Sequence, residues 1–306
     1  MLRRVFMLLF AASWFVVSNY AQDQEGDEEW NPPSAGPVTT WTAPLCGKGG
    51  FVVQPFFFYN RTRGGFDAEG HYDSLPKGDK KYQYQEQLFV QYGITDRLEI
   101  DGQTVYQENY AKVSGDSAHA SGLGDSYLFL RYCLQEERGW MPHIAGLFQL
   151  KAPTGKYQHE DPAKLGTDLM GAGSGGGSWD QGIGVILTKH IKLSILHADA
   201  VYSFSQPVEV NDVKTRYGNY LSLDLGVEYF LPKGFNLMLE TNGFIQGDMK
   251  QDGTKTADSG INFLTVAPGI GWSNDRVQFL LVYQRVVLGT NTDANDSAVL
   301  TCVYTF

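Results

Sequence analysis

Residues 298–306 read AVLTCVYTF. The end of a chain is usually a frayed, polar tail. Here Ala298, Leu300, Cys302, Tyr304 and Phe306 fall on one side of an extended chain, and Val299, Thr301, Val303 and Thr305 on the other. Side chains alternate across a strand, so the nonamer reads as a strand that keeps its final aromatic inside a sheet. Such a strand needs partners for its main chain, and the rest of the sequence has to supply them.

Working back from this stretch, the alternation predicts twelve strands, near 51–62, 81–92, 97–109, 125–135, 141–151, 178–188, 191–204, 217–230, 235–246, 260–272, 276–288 and 297–306. The connections alternate as well. Those after even-numbered strands are short: GITD (93–96), EERGW (136–140), KH (189–190), LPKG (231–234) and SND (273–275). Those after odd-numbered strands, such as 63–80, 110–124 and 152–177, are longer and rich in Gly, Ser, Asp and Lys. Tight turns on one side and long loops on the other make an antiparallel up-and-down sheet. Closing that sheet removes its two exposed edges. In a bilayer closure is compulsory, because each unpaired backbone group costs several kcal/mol there. The expected fold is therefore all-β, a closed antiparallel up-and-down transmembrane β-barrel. An even strand number puts both ends on one rim, and short turns mark that rim as periplasmic.

Composition agrees. The chain has 35 glycines, 17 tyrosines and 18 phenylalanines, yet it is not hydrophobic on average. Strands that each carry one wet face explain this combination. In 97–107, Leu98, Ile100, Gly102, Thr104 and Tyr106 oppose Glu99, Asp101, Gln103 and Gln107, with Val105 the exception. In 221–228, four apolar residues oppose Ser222, Asp224, Gly226 and Glu228. The apolar set is expected to meet lipid and the polar set the lumen. Tyr92, Trp140, Tyr229, Phe230, Phe235, Trp272 and Tyr304 lie near the short turns, as an interfacial girdle would. Only VQFLLVYQRVV (277–287) has no clean face, which points to a bulge or register change.

The first residues are of another kind. Arg3 and Arg4 precede the apolar run Val5–Val17, and Ala21 is a suitable last residue of a signal peptide over 1–21. The run is shorter than the roughly 20 residues a spanning helix needs. Residues 22–48 are first acidic and then proline-rich, which predicts a loosely ordered periplasmic tether, with the barrel over 49–306. The chain carries a net charge of −10, which argues against nucleic acid as a partner. Cys46, Cys133 and Cys302 are too few and too widely spaced for a disulfide framework or a metal motif.

Phe306, with apolar residues at every second position before it, resembles the C-terminal strand signal of bacterial outer-membrane barrels. The resemblance implies that the barrel-assembly machinery reads Tyr304 and Phe306, and that the last strand closes against the first. GLGDSYLFLRY (122–132), PHIAGLFQLKAPTGK (142–156), SGGGSWDQGIG (174–184), TVAPGIGW (265–272) and YGITDRLEI (92–100) narrow it further. Together they resemble the outer-membrane transporter-like barrels associated with the meta-cleavage pathway of phenol degradation. That likeness implies a small-molecule channel of the Gram-negative outer membrane, with aromatic or modestly hydrophobic compounds as candidate solutes. It implies no catalysis and no cofactor. Outer-membrane lipids and lipopolysaccharide are the other expected partners.

The candidate lumen-lining residues are Asp101, Arg131, Lys151, Asp224, Glu228 and Glu240. Asp224 and Glu240 come opposite or diagonal across the LPKG turn, and two close carboxylates repel unless a cation intervenes. Arg131 and Lys151 are the expected counter-charges. A polar network that merely fills the interior is the plainer reading. Twelve strands predict a narrow lumen, into which loop 152–177 or 63–80 is expected to fold. A plugged structural or adhesive barrel is the first alternative.

The second alternative is a lipid hydrolase. His119 and Ser121 have the His-x-Ser spacing of outer-membrane phospholipases, with Asn109 as the residue that would orient the ring. GAGSGG (171–176) matches a nucleotide fingerprint in letters, but a strand follows it where that motif needs a helix. His159, Glu160 and Asp161, and separately Asp293, Asn295 and Asp296, sit in expected outer loops, where the carboxylate and amide oxygens could hold a divalent ion; a solvated loop is the plainer reading.

Overall fold

The computed structural model describes residues 34–155, 177–210 and 212–306. Twelve long strands make a closed antiparallel barrel. They are β1 (Phe51–Phe66), β2 (Lys80–Thr95), β3 (Leu98–Val113), β4 (Ser126–Gln135), β5 (His143–Ala152) and β6 (Asp180–Ile191). The second half consists of β7 (Ser194–Ser205), β8 (Tyr220–Phe230), β9 (Phe235–Gln246), β10 (Asn262–Ser273), β11 (Val277–Thr290) and β12 (Thr292–Thr305). Each pairs with its sequence neighbours, and β12 pairs with β1 from Val52↔Thr305 to Phe66↔Thr292. The seam satisfies the main chain of the opening nonamer on both sides: Leu300 lies between Phe57 of β1 and Leu281 of β11.

The alternation divides inside from outside. Val299, Thr301 and Val303 are buried, whereas Leu300, Tyr304 and Phe306 are exposed. Phe57, Leu88, Leu128, Leu130, Phe148, Ile183, Leu237, Leu239 and Leu281 are exposed in the same way on other strands. An apolar belt that encircles the molecule is a surface for lipid, far beyond the patches of soluble monomers. Tyr92, Trp140, Tyr229, Phe235 and Tyr304 stand exposed near the short turns. Phe230 does not join them; it is buried, because its even-numbered position on β8 faces inward with Asp224 and Glu228.

Several expected loops are strand instead. Tyr72–Ser74 folds back on Gly64–Phe66, so 63–80 is a hairpin arm of β1 and does not enter the lumen. Asp116–Leu123 pairs along β3, extending the wall beyond the barrel proper. The connection between β11 and β12 is Asn291 alone, with positive φ, where a longer loop was expected. Asp293 to Asp296 instead pair with β1. Short strands at Val208–Val210, Val213–Arg216, Lys250–Gln251 and Thr254–Lys255 form a separate small sheet on the long-loop rim. Residues 156–176 of the 152–177 loop, with GAGSGG, His159, Glu160 and Asp161, lie outside the described residues.

The irregular strand β11 does carry a bulge. Leu264 opposes Leu288 and Thr265 opposes Val286, leaving Val287 as the extra residue. Leu280 and Val282, on its inner face, are buried and apolar for a further reason. They belong to a core with Phe56, Phe89, Phe129, Met238, Ala267 and Val299, against which Val38, Trp41 and Ala43 pack. The N-terminal segment is inside the barrel.

Candidate functional site

Residues 34–50 have almost no regular structure, so their backbone groups need other partners. The inner wall provides them in chain order. Ser34 Oγ donates to Glu228 at 2.8 Å, and the Ala35 amide donates to Gln278 Oε1 at 2.9 Å. Glu240 accepts from the amides of Val38 (3.1 Å), Thr39 (2.8 Å) and Thr40 (2.8 Å), and from the Thr40 hydroxyl (3.0 Å). Asp199 accepts from the Trp41 amide at 2.8 Å, and Thr188 Oγ1 from the Ala43 amide at 2.8 Å. Glu99 accepts from the Cys46 amide at 2.6 Å. The segment therefore crosses the lumen from the β8–β9 and β11 side to β3, and then leads into β1 (Phe51–Phe66).

Two glycines allow the close approach. A Cβ on Gly93 would collide with the Gly47 carbonyl, where Gly49 and Gly50 exchange backbone hydrogen bonds with Gly93 at 2.8 and 3.0 Å. A Cβ on Gly226 would press on Pro37 and Thr40. Residues 34–48 are thus not a loose tether. Composition suggested one, but carboxylates and hydroxyls spread around the wall replace the acceptors that a sheet would have given.

All six candidate lumen residues are buried on the inner face, and the structure divides them among four groups. Arg131 donates from Nε to Asp101 at 2.8 Å and from Nη1 to the Thr42 carbonyl at 2.8 Å. It also pairs with Glu99, and its guanidinium lies 5.3 Å from the Trp41 ring. Trp41 in turn meets Phe129 and Phe89 edge-on, with ring centroids 4.9 and 5.7 Å away. Nearer the long-loop rim, Lys151 pairs with Asp180 at 2.6 Å and Asp125 at 3.5 Å. Glu228 accepts from Asn236 at 2.5 Å and lies 3.1 Å from His197 Nε2.

Asp224 and Glu240 are diagonal, since Asp224 opposes Asn242 and Gly226 opposes Glu240. Arg131 and Lys151 do not neutralise them, contrary to expectation. Each base is held by a directly opposed neighbour, Glu99↔Arg131 and Lys151↔Asp180, which is closer than any carboxylate across the barrel. Asp224 has Asp199 opposite it instead. Glu99, Asp199, Thr188 and Gln278 complete the site and were absent from the expected set. Period-two alternation was the available signal: in HADAV (197–201) it places His197 and Asp199 on the inner face.

The hydrolase constellation does not come together. Asn109 is buried, accepts from Gln83 at 2.7 Å, and faces inward. His119 is exposed and stacks on Tyr110, the neighbour on the opposite face, at 4.3 Å between centroids. Nor do Asp293, Asn295 and Asp296 form an ion cage. Asp293 pairs with Lys81, Asp296 with Arg63 and Arg285, and Asn295 accepts from Thr62.

A sequence model of the family described as "Putative MetA-pathway of phenol degradation" matches residues 72–296. No curated protein matches the sequence. Among solved structures, the chain is similar to an outer membrane channel from Pseudomonas putida F1, with a TM-score of 0.69 and 18% identity, covering 89% of this chain and 100% of that one. It is also similar to the KdgM porin in complex with disordered oligogalacturonate (TM-score 0.46, 7% identity, 83% and 99% covered). A third likeness is to the translocator domain of the autotransporter NalP from Neisseria meningitidis (TM-score 0.47, 9% identity, 85% and 90% covered). At 18% identity the first likeness is one of fold, and the other two add nothing to it.

Proposed function

The chain belongs to the family of the MetA pathway of phenol degradation, and from that premise we propose that it is an outer-membrane channel for passive passage of small solutes. The observation that carries this reading is a closed wall with charged and aromatic side chains on its inner face and, among the described residues, the irregular segment 34–50 across the opening. Among the described residues, Glu99, Asp101, Asp125, Asp180, Asp199, Asp224, Glu228 and Glu240 are buried, with Arg131 and Lys151 as the buried arginine and lysine beside them. Acidic side chains outnumber basic ones on this inner wall, which supports a preference for cations. Phe56, Phe58, Phe89, Tyr127 and Phe129 line the inner faces of β1, β2 and β4, which supports aromatic or modestly hydrophobic solutes. The short-turn rim faces the periplasm, and lipid with lipopolysaccharide surrounds the outer belt.

The seated N-terminal segment favours one rival, a plugged structural barrel. Planar-bilayer recordings of the full chain and of a variant lacking residues 34–45 separate the two. The channel reading expects small, cation-selective steps from the full chain and steps several-fold larger from the deletion. A deletion variant that is folded, by heat-modifiable gel migration, yet shows no defined steps leaves the structural barrel as the answer.

A further inference from the structure

Three inner-wall side chains form a row across adjacent strands. Asp199 of β7 opposes Asp224 of β8, and Asp224 opposes Asn242 of β9. Their exposures are 6%, 8% and 8%, so each is more than nine-tenths buried. One oxygen of Asp199 receives the Trp41 amide, but Oδ1 has no hydrogen-bond partner, and neither has Oδ1 or Nδ2 of Asn242. Among the described residues, the groups that act on Asp224 are Asn242, Asp199 and Glu240, none of them a lysine or arginine. Glu240 is itself occupied by three amides and a hydroxyl of the N-terminal segment. Arg131 and Lys151 are engaged in other pairs.

Two carboxylates set side by side in a buried wall repel each other strongly, and an unpaired buried amide oxygen adds to the cost. A cation on the row would relieve both at once. We propose that Asp199, Asp224 and Asn242 bind a divalent, oxygen-seeking cation, and that Ca²⁺ is the ion that fits. Two carboxylates balance its charge, and the Asn242 amide oxygen supplies a neutral ligand. Ca²⁺ accepts irregular arrangements of such oxygens and completes its shell with water, whereas Mg²⁺ demands near-octahedral geometry. Zinc would ask for His or Cys, and the row has neither. His197, two residues along β7, is held by Thr188 and Glu228. Because Asp199 also holds the Trp41 amide, the ion would tie the N-terminal segment to the wall.

Tb³⁺ tests the proposal, since it replaces Ca²⁺ and luminesces when a nearby tryptophan is excited; Trp41 is the sensitiser. The full chain is stripped with chelator in detergent, titrated with Tb³⁺, and then competed with Ca²⁺, so conductance plays no part. The expected result is a saturable signal that Ca²⁺ displaces. Affinity should fall at least tenfold in Asp224→Asn and in Asn242→Leu, and remain unchanged in Asp67→Asn of the exposed Asp67, Glu69 and His71 loop cluster. Asn242→Leu retains both carboxylates and carries the test if Asp224→Asn does not fold. Calorimetry of Trp41→Phe should still detect Ca²⁺ without the luminescence. Undiminished affinity in folded Asn242→Leu overturns the proposal, as does a signal lost only in Asp67→Asn. Absence of Ca²⁺ binding at neutral pH also overturns it, and would mean that the two aspartates share a proton instead.

Discussion

Cys46 shows how far the position of one residue sets its chemistry. Its thiol donates to the Gly50 carbonyl at 3.3 Å, and its amide bonds to Glu99. Burial, and then the Glu99 carboxylate, push the thiol up to about 12. The thiolate is the reactive form, and a thiol with a pKa near 8.5 is about one-quarter ionised at pH 8. Cys46 should hold roughly a thousandth of that thiolate or less while the segment is seated. In a Cys133→Ala/Cys302→Ser background, alkylation of Cys46 at pH 8 is expected to be about a thousand-fold slower in the folded barrel than in the unfolded chain. The sign is a raised acid: the folded-state rate should keep climbing tenfold per pH unit above pH 9, where an ordinary thiol levels off. Mass spectrometry of the labelled protein checks this, and labelling at the ordinary rate would mean that Cys46 is not held against Glu99. At this scale the sequence was readable in part. Alternation assigned Asp101, Arg131 and Glu240 to one face, because a strand has only two faces. It did not reveal that Glu240 faces backbone amides rather than a base, since those amides come from a segment 200 residues away in sequence.

Among the elements, the strands were legible and the N-terminal segment was not. β9, expected at 235–246, occupies Phe235–Gln246, because a tight LPKG turn and a Gly-rich stretch bound an alternating run. Residues 34–46 have no periodicity, and their order comes entirely from side chains of the wall. The apolar inner face of β11 was a trace of this segment: Leu280 and Val282 made the strand look unclean because they belong to the interior core that Val38, Trp41 and Ala43 join. Glu240 is its strongest single tie. In Glu240→Ala the amides of Val38, Thr39 and Thr40 lose their acceptor, at a cost of about 1–3 kcal/mol for each group left buried and unpaired. The expected outcome is release of residues 34–42 from the β9 side, while Cys46 to Gly50 stay fixed by Glu99 and Gly93. Limited proteolysis should then cut within 34–42 and leave the barrel whole. A cleavage pattern identical to that of the parent protein would show that Glu240 does not hold the segment.

For the whole molecule, closure is what the strands require of one another, and Phe306 sits on the seam. The Phe306 amide donates to the Phe51 carbonyl at 3.0 Å, and its ring lies 5.3 Å from Phe51 and 4.7 Å from Tyr304. Yet the residue is 72% exposed. Removing a ring so little buried should cost under about 1 kcal/mol by the area it covers, and the backbone bond to Phe51 survives the change. Contacts within the protein therefore give weak reason for an aromatic at this position beyond its place in the lipid-facing belt, whereas recognition during assembly needs an accessible side chain. If Phe306 serves as that signal, Phe306→Ala should separate two quantities that ordinarily move together. The refolded barrel is expected to melt within a few degrees of the parent protein, by about what 1 kcal/mol shifts in a domain of this size. The amount of folded barrel recovered from the outer membrane of an expressing cell should fall several-fold. A loss of yield matched by an equally marked loss of thermal stability would place Phe306 in the seam's energetics and remove the assembly role.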